Sequence, residues 1–472
     1  MFKDIARCII MTKFSCKKCL KKFEHKSKYN IHLKRETCKI KLIATNNIKV
    51  NSIKDTMTPT KVKTKIKVRN KKKTRIIVKT AKKNCMKFID LFSGIGGFHQ
   101  ALTKLGCECV CACDINKHAR ETYEDNYKIK PVNDVKDLDP EKMPDFDIIC
   151  AGFPCQPFSN GGKKKTFDDE RGLLFDEIMR IAKVKKPRFM FLENVKHILK
   201  VSNGEVIAYI KKRIKDEGYT LQLFQISPHQ YGIPQQRERV FFVCVRNDIY
   251  NNVPIVLPKY EGGPVDFTKF LENKDDIDDK YFIDGDILNV LEAWDEMIQV
   301  FDVGEKISPT ILINDAYRSY TDIEFENLAT WRKDYMKKNK PLIQKYQKQF
   351  DIWYEKHKEL LLKREIYGKL EWQVGKIKPN DSIFNYFIQP RQSGLRIKKA
   401  KYFPTLVAIV QTPIYGKEKR HITPRECARL QSFPESFKLH ENDRHSYKQF
   451  GNSVNVHNVN TIISSALKHY SL

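Results

Sequence analysis

An α/β fold built on a parallel sheet is predicted by three observations. From Lys87 onward, short apolar runs alternate with amphipathic stretches of helical period. The first run, KFIDLF, passes through a glycine-rich turn, SGIGG, directly into the helical stretch FHQALTKLG. At 472 residues and 41% hydrophobic content, the chain is long enough for two or three domains with real cores.

The elements follow in order. KFIDLF reads as a buried strand, and Gly106 ends the helix after it. CECVCACD is a second strand and KHARETYEDNY a second helix; DFDIICAGF is a third strand. GLLFDEIMRIAKVKKP is an amphipathic helix stopped before Pro187, and RFMFLENV is the strand after it. EVIAYIKKRIKDEGY is a helix, and TLQLFQIS and RVFFVCVR are strands. Strands alternating with helices imply parallel pairing. The pattern changes after Asn247. Residues 251–400 look like an inserted domain, irregular except for an amphipathic stretch from about Glu326 to Glu365 that is interrupted near Pro341. PRECARLQSFP and NVNTIISSALKHY supply a last turn and helix.

The charge lies at one end. Met1 to Lys87 holds 28 Lys/Arg against four acids, a net of +24, which leaves +6 of the total +30 for the remaining 385 residues. Such an arm fits a polyanion such as DNA or RNA, or else a solvated tail. Its second half, from Lys61 to Lys87, has thirteen Lys/Arg and no acid in 27 residues, so residues 42–86 read as a basic, disordered linker. Thirteen cysteines, an odd and scattered number, fit a reducing intracellular compartment better than a disulfide framework. No stretch reaches the ~18 apolar residues of a membrane helix, and the N-terminus is not a convincing signal peptide.

Several residues have the chemistry of a site. Gly94, Gly96 and Gly97 let backbone approach a ligand closely, though their spacing is not the dinucleotide fingerprint. Asp114 ends the second strand, where an acid accepts from ribose hydroxyls or simply caps the next helix. Asp134 falls at the next loop and could accept from an adenine amino group, or be a turn residue. Cys155, in GFPCQPFSNGG, is stiffened by Pro154 and Pro157; it is a nucleophile if exposed and partly ionised, a packing thiol if not. Glu193 ends an apolar strand and is a candidate acid of raised pKa. In QQRER, Arg237 and Arg239 alternate, which on a strand puts both on one face.

DLFSGIGG, GFPCQPFS, ENV, QQRER, RECARLQSFP and QFGNSV, in this order, resemble the motif series of DNA (cytosine-5) methyltransferases, from about Lys87 to Leu472. The resemblance implies a Rossmann-like, S-adenosylmethionine-dependent methyltransferase domain over residues 87–250 and 401–472. It implies an inserted target-recognition domain over residues 251–400, closed by FPTLVAIV (Phe403 to Val410). It makes Cys155 the nucleophile that adds to carbon 6 of a flipped-out cytosine. Glu193 becomes the acid on ring nitrogen 3 and the exocyclic amine, and Arg239, with Arg237 close to it, the contact to the base carbonyl. No residue clearly claims the base that removes the carbon 5 proton. NGGKKKTFDDERG resembles a lid for DNA phosphates. Phe92, Ser93, Gly94, Gly96 and Gly97 match the methionine-side loop, Asp114 the ribose acid, Asp134 and Val135 the adenine site, and Asn452 and Ser453 the returning segment of the cofactor pocket. Asn455 and His457 stand where relatives are mostly apolar, which weakens the packing of the last helix. The implied substrate is double-stranded DNA; a tRNA-methylating branch and a decayed, non-enzymatic core are the rivals. The long insert favours DNA, and the presence of Cys155, Glu193 and Arg239 argues against decay.

Residues 1–41 carry a second constellation. Cys16-x2-Cys19-x12-His32-x5-Cys38 has zinc-finger spacing, with Phe23 and Tyr29 at the two core positions of a ββα finger. Structural zinc is therefore expected, and the surrounding lysines favour nucleic acid. The expected protein is a monomer in the nucleus or cytoplasm (a viral factory if viral), with no membrane contact and a possible cognate restriction endonuclease.

Overall fold

A computed structural model describes residues 14–15, 22–23, 85–154, 173–307, 310–408 and 411–471. Cys155, the lysine-rich loop after it, and the candidate zinc ligands Cys16, Cys19, His32 and Cys38 lie outside the described residues. Two compact units are present, Met1–Thr80 and Ala81–Leu472. In the first, β1 (Phe14–Ser15) and β2 (Lys22–Phe23) pair antiparallel, with Phe14 opposite Phe23.

The second unit opens on alternating elements: β3 (Lys87–Leu91), α1 (Gly97–Lys104), β4 (Glu108–Cys113), α2 (Lys117–Tyr127), β5 (Ile148–Ala151), α3 (Leu173–Lys185), β6 (Phe189–Val195), α4 (Glu205–Asp216), β7 (Tyr219–Ile226) and β8 (Arg239–Arg246). They form one six-stranded sheet in the order β4-β3-β5-β6-β8-β7. Alternate residues serve opposite faces. Phe88, Ile148, Phe191 and Val243 pack on one side with α1, while Ile89, Ile149, Met190 and Phe242 pack on the other with Phe175, Ile178 and Ile210 of α3 and α4. Burial on both faces explains why these strands are near-continuous apolar runs.

The expected all-parallel pairing is corrected in one place. β3, β4, β5 and β6 are parallel, but β8 runs antiparallel to both β6 and β7. A parallel return needs a crossover, usually a helix. Residues 227–238 hold only a short turn at Pro228–Tyr231, so β8 comes back as the hairpin partner of β7.

The segment read as mostly irregular contains more order than its sequence pattern announces. α5 (Gly285–Val300), β9 (Thr310–Leu312), α6 (Thr330–Lys345), α7 (Gln347–Lys363), β10 (Lys369–Gln373), β11 (Phe387–Arg391), β12 (Gly394–Lys398), β13 (Ile414–Tyr415) and β14 (Arg420–His421) build a second sheet, in the order β14-β13-β11-β12-β10-β9, with helices against it. Trp294, Phe350, Trp353, Leu370 and Ile397 share its core. Its strands have two to five residues, too short for a periodic signal. The helical break also moves: α6 runs through Pro341 and ends at Tyr346, whose buried ring sends its hydroxyl to Asp302 (2.8 Å) and Glu305 (3.0 Å).

α8 (Pro424–Leu430), α9 (Asp443–Asn452) and α10 (Val456–His469) return the chain to the first sheet, where Val459 and Ile463 join Phe98 and Leu102 of α1. α8 starts with a capping box between Thr423 and Glu426. Asn455 does not weaken α10: its Oδ1 caps Asn458 N–H at 3.0 Å and its Nδ2 donates to Leu430 O at 2.9 Å, so a buried amide is well partnered. His457 lies on the exposed side of the same turn. Among the described residues no helix is long and apolar enough to cross a membrane.

Candidate active site

Four loops meet at the carboxyl ends of β3, β4, β5 and β6. The turn after β3 takes left-handed backbone at Phe92 (φ 52°), Gly94 (φ 54°) and Gly96 (φ 82°). Asp114, just past β4, holds this turn: its Oδ2 accepts from Gly94 N–H at 2.7 Å and its Oδ1 from Asn116 N–H at 2.7 Å. Asn116, not Asp114, caps α2. Burial raises the Asp114 carboxyl pKa, against the pull of the two amides and Arg120. Val132 bridges Cys113, and Asp114 N–H donates to Val132 O at 3.0 Å, which brings Asp134 and Val135 alongside. Val135 is buried; Asp134 caps a short turn through Lys136 N–H at 3.0 Å.

The chain returns to this edge after α9. A Cβ on Gly97 would lie 2.6 Å from Val454 Cγ2 and 3.0 Å from Ser453 Oγ, so only glycine lets the return segment cross the first turn of α1. Ser453 is buried and Asn452, at the end of α9, is exposed. Ser93 Oγ is buried without a hydrogen-bond partner. Acceptor carboxylates, an unpartnered hydroxyl, a helix N-terminus and glycine-only approaches suit a ligand with ribose, an amino-bearing base and a polar tail.

Glu193 sits near the end of β6, buried rather than on the surface. Its Oε1 lies 3.0 Å from Arg239 Nε. Burial raises its carboxyl pKa, and Arg239 and then Arg237 hold it partly down. A Cβ on Gly152 would be 4.0 Å from Glu193 Oε2, so the loop leaving β5 runs beside this carboxylate. Asn194 Nδ2 fixes that loop by donating to Phe153 O at 2.9 Å, a role the sequence reading missed within its own ENV motif. Pro154 is the last described residue before Cys155.

Arg237 and Arg239 part company. Arg237 precedes β8, is fully buried, and donates to the carbonyls of Leu406 (2.7 Å), Gly451 (2.9 Å) and Ser453 (2.9 Å). Its guanidinium anchors the return segment, while Arg239 alone meets Glu193.

The fold and this strand-edge site define a methyltransferase, and the chain belongs to the C-5 cytosine-specific DNA methylase family, whose profile matches residues 86–468. It is a DNA cytosine-5 methyltransferase that uses S-adenosylmethionine. It is similar to the Type II methyltransferase M.HhaI of Haemophilus parahaemolyticus, at 31% identity over 369 residues, 78% of this chain and 90% of that protein. It is likewise similar to the Type II methyltransferase M.BanI of Aneurinibacillus aneurinilyticus, at 30% identity over 424 residues, 81% of this chain and 96% of that one. In fold it resembles the crystal structure of a DNA modification methyltransferase encoded within an E. coli prophage, with a TM-score of 0.51 and 21% identity over 82% of this chain and all of that one.

Proposed function

We propose that the methylation proceeds through a covalent adduct of Cys155 with carbon 6 of a cytosine flipped out of duplex DNA. The observation that carries this reading is the Glu193–Arg239 pair, buried beside the loop that leads to Cys155 and on the strand edge shared with Asp114. Carbon 5 of cytosine is a poor nucleophile. Addition of the Cys155 thiolate to carbon 6, with Glu193 holding a proton at ring nitrogen 3, makes carbon 5 electron-rich. Arg239 orients Glu193 and faces the base carbonyl. Once carbon 5 carries the methyl group, loss of its proton to water re-forms the C5–C6 double bond, breaks the C6–S bond and returns the thiolate.

S-adenosylmethionine, when bound, supplies an electrophilic methyl group. Asp114 and Asp134 would accept from its ribose and adenine groups, Val135 would pack beside the base, and the Phe92–Gly97 turn with Asn452 and Ser453 would hold its methionine end. The unpartnered Ser93 hydroxyl and the glycine-only crossing at Gly97 support that fit. Arg237 acts by positioning Ser453.

The strands β9 to β12 of the second sheet and its helices read as the target-recognition domain of residues 251–400, with β13 and β14 added to that sheet from beyond residue 400. A separate cavity of about 530 Å³, lined by Arg364, Arg391, Gln392, Gln411 and Thr412 among others, offers the amide and guanidinium groups that read base edges. Residues 1–41 read as a zinc finger on a basic linker (42–86): the antiparallel pairing of β1 with β2 brackets Cys16 and Cys19, as a ββα finger requires. The eight described cysteines are all free thiols, which suits an intracellular, reducing compartment. A monomer, paired with a cognate restriction endonuclease, completes the reading.

Transfer of tritium from labelled S-adenosylmethionine, measured on duplex DNA and on tRNA with wild type and Cys155→Ser, tests it. Transfer to duplex DNA by wild type alone is expected. Transfer by Cys155→Ser at the wild-type rate overturns the covalent mechanism, and transfer to tRNA alone overturns the duplex substrate.

A further inference from the structure

Three histidines converge away from the strand-edge site. His118 lies in the first turn of α2, His440 in the loop before α9, and His445 in the first turn of α9. Each offers a ring nitrogen, and these atoms lie within 4.8 Å of one another, all on half-buried side chains. His118 Nδ1 is 3.1 Å from Glu121 Oε2 and 3.4 Å from His440 Nε2. Ligand atoms bound tetrahedrally to one zinc-sized ion at ~2.1 Å stand about 3.4 Å apart.

Hydrogen bonds alone cannot satisfy this arrangement. With a proton, His118 Nδ1 donates to Glu121, and His440 Nε2 must then be an acceptor. Yet His440 Nδ1 already accepts from Asn442 N–H at 2.9 Å, which leaves the proton of the neutral ring on Nε2. Without a proton, His118 Nδ1 accepts from His440 and turns a bare lone pair toward the Glu121 carboxylate. A cation in the cluster removes the conflict, because it faces the nitrogens and the carboxylate together. It costs His440 only an exposed bond within its own loop, and water can replace that partner of the Asn442 amide.

We propose that His118, His440 and His445 form a site for a first-row divalent transition metal, with Glu121 beside them. Imidazole ligands select zinc, copper, nickel or cobalt over magnesium or calcium. The site joins α2 to α9. Gln449 already links these helices through His118 O (3.0 Å) and Thr122 Oγ1 (2.9 Å). Since α2 follows Asp114 and α9 leads into Ser453, a bound metal braces two walls of the strand-edge site. The metal site itself stands whatever those walls hold.

Cobalt(II) titrated into the full chain carrying Cys16→Ser, Cys19→Ser and Cys38→Ser tests this, because the substitutions remove the candidate thiolate ligands of the N-terminal region. One equivalent is expected to give visible d–d bands without thiolate charge transfer. His445→Ala and His118→Gln should each lower the cobalt affinity at least tenfold. Circular dichroism checks that both variants fold, and His445→Ala, a half-buried change in a first helical turn, decides if His118→Gln does not. Absence of d–d bands at equimolar cobalt, or bands of equal strength and affinity in His445→Ala, overturns the site.

Discussion

Arg239 and Glu193 meet 3.0 Å apart across the antiparallel pairing of β6 with β8. The strand reversal that corrects the parallel expectation is what creates this contact, because it starts β8 at the edge where β6 ends. Glu193→Gln keeps the shape and removes the acid, so kcat should fall roughly 10²- to 10⁴-fold, with DNA and S-adenosylmethionine affinities within a few-fold of wild type. Burial raises the Glu193 pKa and Arg239 lowers it. A step that needs the protonated carboxyl is complete below the folded pKa and is lost as pH rises through it. Arg239→Gln should therefore move the alkaline limb of kcat to higher pH while lowering its maximum. A pH–rate profile with an unmoved limb would show that another group titrates.

Arg237 is predicted to matter for the return segment more than for the base. Arg237→Met leaves the buried carbonyls of Leu406 and Gly451 without this donor, at about 1–3 kcal/mol each, and Ser453 O with only the 3.3 Å bond from Gln431 Nε2. Denaturant unfolding should register a loss of about 3 kcal/mol or more, and KM for S-adenosylmethionine should rise more than KM for DNA. Equal increases in both would argue against this anchoring role.

Gly97→Ala adds a methyl 2.6 Å from Val454 Cγ2. Overpacking of this kind costs about 1–3 kcal/mol. Calorimetry should show a lower Tm, and equilibrium dialysis a weaker affinity for S-adenosylmethionine. An unchanged affinity would place the crossing of α1 and the return segment outside the cofactor site.

Asp90, in β3, is fully buried, and burial raises its pKa well above the ordinary range, against the pull of the His99 amide and the Tyr123 hydroxyl. The neutral acid is favoured in the folded state. Its stabilising contribution is therefore complete below the unfolded pKa of ~3.9 and is lost as pH rises through the folded value. Asp90→Asn cannot ionise, so its stability relative to wild type should improve between pH 5 and pH 8. Unfolding midpoints at the two pH values decide the matter, and a constant difference would refute the neutral assignment.

Deleting residues 1–83 removes most of the Lys/Arg excess. DNA affinity and its salt dependence should both fall, with the methylated sequence unchanged. Bisulfite sequencing is the check, and a changed sequence would move target recognition away from residues 251–400.

The central strands were legible because burial on both faces leaves apolar runs that composition alone reveals, as in IICA and FMFLEN. Strand direction was not, since RVFFVCVR has the same residues whichever way it pairs. Asp114, Glu193 and the glycine turn were legible as strand-end residues, and they do share an edge. The separate duties of Arg237 and Arg239 were not, because alternation fixes a shared face only within one strand and β8 begins at Arg239. Asn455 misled for a related reason: a polar residue on an apolar face looks disruptive until the helix is seen to begin there. The histidine cluster had no local signal, with 322 positions between His118 and His440.

The crossing of Ser453 over Gly97 also bears on synthesis. A ribosome that has made the first sheet has made the glycine turn, Asp114 and Glu193, but not the segment that Arg237 grips. Until residue 453 emerges, three donors of that guanidinium lack their acceptors at Leu406, Gly451 and Ser453 or hold only the first. Nascent chains should thus lack methylation activity until residue 453 has emerged.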